Sequence, residues 1–354
     1  MKSAMIQKRM ELIRRELKAR KVNCFVLTKP SNVRYVTGFT GDDSWAVITD
    51  RRVCLLTDSR YSEQAEGECV GCRVIERKGS MVKAVLRLLA GRRSGRLVAI
   101  ESSTPVGQYE ELKKRVKGRV RAVSNIVESV RSIKDGSEIS DIESAARIAA
   151  KALNGIRRRV KEGITENELA GSLEFEVRRL GATVSFETIV AFGANGSRPH
   201  HRPGDDRLRK NDTVLIDFGV RYEGYCCDLT RCFAVGRPSK LFREAYKAVE
   251  EAQAAAISKA RAGVEICVVD SAAREVIKRY GLPVYGHGTG HGLGLEVHEL
   301  PVLSAKVKGR LEAGQVLTIE PGVYIPGQLG VRIEDDVLVT ETGCRALSGV
   351  VGAI

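Results

Sequence analysis

Five histidines occur in the 354 residues, none before position 200, and three of them fall in one short stretch, GHGTGHGLGLEVHE, from Gly286 to Glu299. His287, His291 and His298 are imidazoles that can ligate a metal or move a proton near neutral pH. The other two, His200 and His201, are adjacent in the run SRPHH. Glycine at alternate positions from 286 to 294 permits close backbone approach. The four-residue spacing of His287 and His291 invites a zinc-binding helix, but position 288 is glycine where a general-base glutamate belongs. Alternating glycines would also destabilise a helix by roughly 1 kcal/mol each. A dinucleotide fingerprint fails because Leu293 stands where the third glycine should be. The stretch reads as an extended or looped segment presenting imidazoles.

Carboxylates offer partners for them. Thr213–Val220 (TVLIDFGV) and Tyr225–Val235 (YCCDLTRCFAV) are strand-like runs joined by Arg221-Tyr222-Glu223-Gly224. A two-residue loop at Tyr222-Glu223 pairs Asp217 with Asp228, their Cβ atoms about 5 Å apart on one face; a slip of two residues leaves them diagonal neighbours. Acids side by side in apolar strands repel unless a cation or a proton intervenes. Nearer the C-terminus, Val316–Glu320 and Val331–Val339 flank a turn at Pro326-Gly327. Centring that turn on Gly327 pairs Glu320 with Glu334, with Asp336 on the same face as Glu334 and Asp335 on the other. Four carboxylates and one imidazole form a mostly hard-oxygen donor set that suits Mn²⁺, Co²⁺ or Fe²⁺, with Zn²⁺ as a further fit. Two divalent ions would balance the four charges and hold a bridging hydroxide.

The rest of the chain must position these groups. Ile6, Met10, Ile13 and Leu17 predict a helix packed on one face. Strands are predicted at Val22–Thr28, Asn32–Phe39, Ser44–Thr49, Arg52–Asp58 and Arg96–Glu101, and helices at Ser80–Leu89 and Gly107–Val116. This alternation describes a small α/β domain over residues 1–126. Residues 127–354 form the second domain. Val127–Lys161 predicts a long alanine-rich helical stretch broken at Asp135-Gly136, with Ser140 and Glu143 as a capping box. A second capping box, Thr165 with Glu168, opens a helix to about Leu180. Helices are expected at Lys240–Lys259 and Val264–Tyr280, among strands that begin near Thr188.

Composition narrows the class. The chain is 43% hydrophobic and 29% charged, and no apolar run approaches the ~20 residues of a membrane helix. The first twenty residues lack a secretory core, so a cytoplasmic location is expected. Nine scattered cysteines, with Cys69-Val-Gly-Cys72 as a lone pair, fit reduced thiols. The net charge of +14 lies wholly in the first third: 27 basic and 13 acidic residues precede Val127, and 31 of each follow. With few aromatics and no nucleic-acid motif, a solvated basic surface is expected there, with neither nucleic acid nor membrane as a partner.

Five motifs carry a resemblance. IDFG with Asp217, DLTR with Asp228, GHGTGHGLGLEVHE, IEPGVY with Glu320 and RIEDD with Glu334 resemble the catalytic domain shared by aminopeptidase P, prolidase and methionine aminopeptidase. VRYVTGFTG and LLTDSRYSEQA are similar to the N-terminal domain of prolidases, aminopeptidases P and creatinases. The resemblance implies an α+β protein with a pita-bread catalytic domain behind a smaller α/β domain. It also implies two divalent ions, Mn²⁺ first, held by Asp217, Asp228, His291, Glu320 and Glu334. Asp228 and Glu334 would bridge the ions, and Glu320 would accept a proton from the attacking water. His200 and His298 would stabilise the oxyanion, while His287, Tyr324 and Arg332 would line or brace the site. The first of the two adjacent histidines is the expected actor, and the glycines are expected to admit a peptide backbone. The implied activity is Xaa-Pro aminopeptidase on proline-containing peptides by a homodimer. Xaa-Pro dipeptidase is the alternative, and a non-catalytic binding protein with a basic N-terminal domain is the alternative of another class.

Overall fold

The computed structural model describes residues 2–90 and 97–348, so Arg96, the expected first residue of a strand, lies outside the described residues. The chain divides into two compact units, Met1–Arg131 and Ser132–Ile354. In the first, the elements run α1 (Lys2–Ala19), β1 (Cys24–Leu27), α2 (Pro30–Thr37), β2 (Trp45–Thr49), β3 (Val53–Thr57), α3 (Ser62–Glu68), β4 (Arg73–Glu76), α4 (Met81–Leu89), β5 (Leu97–Glu101), α5 (Val106–Arg115) and β6 (Arg119–Val123). They build one mixed sheet in the order β4-β3-β2-β1-β5-β6. The apolar stripe of α1 is buried as its spacing predicts: Ile6, Met10, Ile13 and Leu17 all lie inside.

Asn32–Phe39 is not a strand. Pro30 sits in the first turn of α2, where its fixed φ favours a helix start, and Gly38 at φ +80 closes the helix with a left-handed cap. The β-branched residues of this segment are buried on a helical face, so tertiary packing overrides their strand preference. Three unanticipated elements, α3, β4 and β6, bury little: only Ala65 in α3, and mostly exposed or half-exposed positions in the two strands. They carry no apolar pattern for a sequence reading to find.

After α6 (Val127–Ser132), the second unit opens with α7 (Gly136–Ile156) and a 3₁₀ turn at Arg157–Arg159, then α8 (Glu166–Arg179), β7 (Thr183–Val184), β8 (Ile189–Phe192) and a 3₁₀ turn at Gly193–Ser197. Next come β9 (Thr213–Phe218), β10 (Val220–Tyr222), β11 (Tyr225–Cys226), β12 (Leu229–Ala234), α9 (Lys240–Lys259) and α10 (Ile266–Arg279). The chain finishes with β13 (Gly290–Gly292), β14 (Glu299–Leu303), β15 (Val316–Ile319), β16 (Gly322–Ile325), β17 (Leu329–Arg332), β18 (Asp335–Val339) and β19 (Cys344–Ala346). Helix α7 starts earlier than Ser140: Asp135 is the N-cap and forms the capping box with Glu138. The Asp-Gly pair is therefore the cap itself, and Ser140 lies inside the helix. The box at Thr165 and Glu168 is present as expected.

Strands β12-β9-β8 form one antiparallel sheet whose residues alternate between two cores. Val190, Val214, Ile216, Phe218, Leu229 and Phe233 pack with Ala145, Ala149, Leu169 and Leu173 of α7 and α8. Ala191, Leu215 and Cys232 face the other way, into a core with α9, α10 and β15–β17. Each fully buried Leu, Ile or Phe in these cores contributes about 1.5–3 kcal/mol. The alanines of α7 and α9 let the helices pack closely. Asp217 shares its face with Leu215, so the strand that builds the core also points one carboxylate into the second unit's interior.

The first hairpin is shifted by two residues from its expected register. Its loop is Glu223-Gly224, with φ +47 and +83, the two positive values a two-residue type I′ turn demands. Asp217 therefore faces Thr230, and Asp228 is its diagonal neighbour. The second hairpin keeps its expected register. Val316 pairs with Leu338 and Gly322 with Arg332, on either side of the interruption at Glu320 and Glu334. No helix among the described residues is long and apolar enough to cross a membrane.

Candidate metal centre

The carboxylates converge. Asp217 leaves the end of β9, Asp228 precedes β12, and Glu334 forms an isolated bridge with Thr230. Ligand atoms of Asp228, His291 and Glu334, all buried, lie within 4.8 Å of one another. His291 Nε2 is 3.9 Å from Asp228 Oδ2 and 3.6 Å from Glu320 Oε1. Asp217 Oδ2 accepts from Arg332 Nη2 at 2.5 Å. Asp217 Oδ1 and Asp228 Oδ1 are buried without a hydrogen-bond partner.

Charge crowding dominates the electrostatics. Burial, and then Glu334 and Asp217, push the Asp228 carboxyl well above the ordinary range. Burial, and then Glu320 and Asp217, do the same to Glu334. Burial raises Glu320 to about 7 despite the opposing pull of Arg332. Burial, with His298 beside it, lowers His291 to about 4, so its imidazole is neutral at physiological pH. Nδ1 of His291 donates to the Gly292 carbonyl at 3.0 Å, leaving Nε2 as the lone pair turned towards the acids. Buried carboxylate oxygens without donors, facing a neutral imidazole, are the donor set a divalent cation satisfies. The residues present fit a metal.

His291 is placed by the glycines on either side of it. Strand β13 lies between β14 and β15. A Cβ at Gly290 would stand 1.9 Å from the Thr318 carbonyl oxygen, and one at Gly292 would stand 2.1 Å from that of Leu300. At these two glycines the close approach is by the chain's own strands, and Gly288 and Gly290 also line the cavity above the carboxylates. The backbone N–H of His291 also donates to Thr318 Oγ1 at 3.1 Å.

The neighbouring histidines do different things. His287 donates from Nδ1 to the Gly288 carbonyl at 2.7 Å and accepts at Nε2 from Tyr324 Oη at 3.0 Å. Arg332 Nη1 donates in turn to that Tyr324 oxygen at 2.7 Å. Burial lowers His287 to about 4, in keeping with a neutral ring. The His298 ring sits edge-on to His291, centroids 4.4 Å apart. His201 Nε2 donates to Glu166 Oε2 at 2.8 Å, and both His200 and His201 line the cavity above the carboxylates. That cavity has a volume of about 1070 Å³ and also reaches His298, Glu320 and the flank of α8 at Asn167 and Glu174.

Several supporting residues were not anticipated. Glu166, fully buried, accepts from Phe192 N and Asn195 Nδ2 at 2.8 Å each on Oε1, and from His201 Nε2 at 2.8 Å and Gly204 N at 3.0 Å on Oε2. It thereby anchors the loop that carries His200. Asp336 Oδ2 accepts from the Asp228 backbone at 3.0 Å, and Thr230 Oγ1 donates to Glu334 Oε2 at 2.6 Å. Arg274, paired with Asp270 on α10, donates to the carbonyls of Tyr285 and His287 at 2.8 and 2.6 Å. The sequence signals were the four-residue Asp270–Arg274 spacing, the place of Asp336 on the Glu334 face and that of Glu166 at a helix start.

Residues 140–341 match the description "Metallopeptidase family M24", and residues 9–133 match "Creatinase/Prolidase N-terminal domain". The chain belongs to metallopeptidase family M24. An uncharacterized peptidase of Bacillus subtilis is 40% identical over 92% of this chain and 94% of its own length. The structure is similar to an Xaa-Pro dipeptidase from Bacillus anthracis (34% identity, TM-score 0.93, 97% of this chain and 98% of that one). It is also similar to an X-Pro aminopeptidase from Thermotoga maritima (34% identity, TM-score 0.85, 93% and 96%). The M24 chain thus has the expected α+β architecture, a pita-bread catalytic domain behind a creatinase-type domain. It is an enzyme of the prolidase and X-Pro aminopeptidase type, and the family implies divalent metal binding. The non-catalytic reading falls with that assignment.

Proposed function

We propose that this M24 enzyme is an Xaa-Pro aminopeptidase that releases the N-terminal residue preceding proline from peptides longer than two residues. The observation that carries the choice is the size of the cavity. At about 1070 Å³ it meets the upper end of the ~300–1,000 Å³ of cavities that enclose drug-sized ligands. That is more room than a dipeptide requires.

In this reading Asp217, Asp228, His291, Glu320 and Glu334 hold two divalent ions, with Mn²⁺ the expected metal. When bound, the ions supply Lewis-acid polarisation of the scissile carbonyl and lower the pKa of the attacking water. Glu320 takes the water's proton and passes it to the proline nitrogen as the C–N bond breaks. His298 and His200 donate hydrogen bonds to the carbonyl oxygen as it gains charge and hold the proline-side carbonyl. Arg332 fixes Asp217 on one side and Tyr324 on the other, and Tyr324 orients His287 at the substrate wall. The reading includes a cytoplasmic homodimer, which sedimentation of the purified protein checks.

The test is hydrolysis of Ala-Pro against Ala-Pro-Gly by the Mn²⁺-loaded protein. Release of alanine from the tripeptide at a rate equal to or above that from the dipeptide supports the aminopeptidase. Cleavage of the dipeptide alone overturns it in favour of an Xaa-Pro dipeptidase, the reading favoured by the similarity to the Bacillus anthracis enzyme.

A further inference from the structure

A second cavity, of about 830 Å³, lies on the other flank of α8. Arg158, Arg159, Lys161 and Arg207 line it, against only two acids, Glu162 and Glu168. Glu168 is already committed to the capping box at Thr165. Arg207 donates to the Gly163 carbonyl, and Arg159 reaches Ser172. The side chains of Arg158 and Lys161 are exposed and have no hydrogen-bond or ion-pair partner among the described residues. The cavity is therefore cationic, with free charge to offer an anion.

The two cavities meet at one residue. Asn167, Ala170, Gly171 and Glu174 of α8 line the metal cavity, while Glu168, Gly171, Ser172 and Phe175 line the cationic one. Helix α8 is thus the ridge between them, and Gly171, without a side chain, is its low point. Glycine is among the least favourable residues for a helix interior. Nothing in the packing requires it here: a Cβ at Gly171 would meet no atom within 4 Å, and no left-handed backbone angle is involved. An unforced glycine at the junction leaves a saddle that an extended chain can cross.

We propose that the cationic cavity is a subsite for the acidic C-terminal part of an extended peptide whose Xaa-Pro end lies among the carboxylates. The proposal rests on the peptidase reading above. An extended chain advances about 3.4 Å per residue, and a helix with its side chains is about 10 Å across. The acidic residues would accordingly lie about three to five positions beyond the proline.

The experiment compares three peptides on the Mn²⁺-loaded protein: Ala-Pro-Gly-Gly-Gly-Glu-Glu and its Gln-Gln and Lys-Lys counterparts. Exposed ion pairs of this kind predict a KM about three- to tenfold lower for the Glu tail than for the Gln tail, with kcat unchanged and the Lys tail weakest. The preference should fade at high salt. The ratio of the two KM values should collapse to about one in the double variant Arg158→Glu, Lys161→Glu. Gly171→Leu, which fills the saddle with a good helix former, should erase it too. Equal KM values for all tails at low salt, or a preference that survives the double variant, would overturn the subsite and leave the peptidase reading standing. Cleavage of Ala-Pro alone overturns the subsite by removing extended substrates. No cleavage of any peptide overturns the peptidase reading, and the subsite with it.

Discussion

Replacing Glu166 by Gln tests whether the loop bearing His200 depends on one buried carboxylate. Glu166 accepts four hydrogen bonds, two on each oxygen. A glutamine has one oxygen to offer and turns an NH₂ towards the other two donors. With the amide oxygen kept at Phe192 and Asn195, the NH₂ meets His201 and the backbone N–H of Gly204. His201 can accept it by moving its ring proton to Nδ1; Gly204 N has no such freedom and is left unpaired. The reverse orientation is worse, because Asn195 is already committed to Asp206 and Arg198. An orphaned N–H on half-buried Gly204 costs up to about 2 kcal/mol, and turning the two retained bonds from charge-assisted to neutral costs about 1 kcal/mol more. The expected loss is up to about 3 kcal/mol in guanidinium unfolding, with kcat/KM on Ala-Pro-Gly reduced at least about tenfold. Mn²⁺ stoichiometry should hold, since none of the proposed ligands touches Glu166. A loss below about 1 kcal/mol with wild-type kcat/KM would refute the anchoring role.

Other expectations concern the metal and its glycines. In the metal-free protein Glu320 titrates near 7 when folded, against an ordinary 4.5. The folded state then holds the proton more tightly, so stability falls as pH rises from 4.5 to 7, by about 3 kcal/mol from this group alone. His287 and His291, lowered to about 4, push stability the other way over the same range, so the fall is read as the difference between chelated wild type and Glu320→Gln in denaturant titrations at both ends of that window; no such difference would contradict the raised Glu320. Asp228→Ala should remove Mn²⁺ binding at both positions and reduce peptidase activity to background, and retained Mn²⁺-dependent turnover would sink the ligand assignment. Gly290→Ala should destabilise by more than about 2 kcal/mol and weaken Mn²⁺ binding, because its Cβ would lie 1.9 Å from a backbone oxygen. Gly171→Ala, whose Cβ meets nothing, should instead stabilise by about 0.5–1 kcal/mol in the same unfolding assay.

The difference between the two hairpins shows what was legible in the residues. In the second, Pro326-Gly327 leaves one plausible turn centre, and the register follows from it through β16 and β17 to β15 and β18. In the first, Gly224 takes the second position of a turn whose first position is Glu223, a residue that seldom adopts positive φ; placing the turn one residue early shifts every pair by two. The acids still meet because diagonal neighbours on one face remain within reach. Segment 32–39 misleads for another reason: its β-branched residues speak for a strand, while Pro30 just before it and Gly38 near its end decide the matter. Glu166 was legible as part of a helix start. Its four donors come from residues 26 to 38 positions away, and no local spacing records them.

The glycines flanking His291 bear on how such a site can be altered. With no side chain at 290 or 292, the position of this imidazole is set by the distances from its own main chain to the carbonyls of Thr318 and Leu300. The spacing of three strands is thus a ruler for the gap between a nitrogen and the acids opposite. Changes that widen or narrow that spacing, at residues that never touch an ion, would shift which ion radius the centre prefers. Selectivity among divalent metals could then be tuned from β14 and β15 while all five proposed ligands stay as they are.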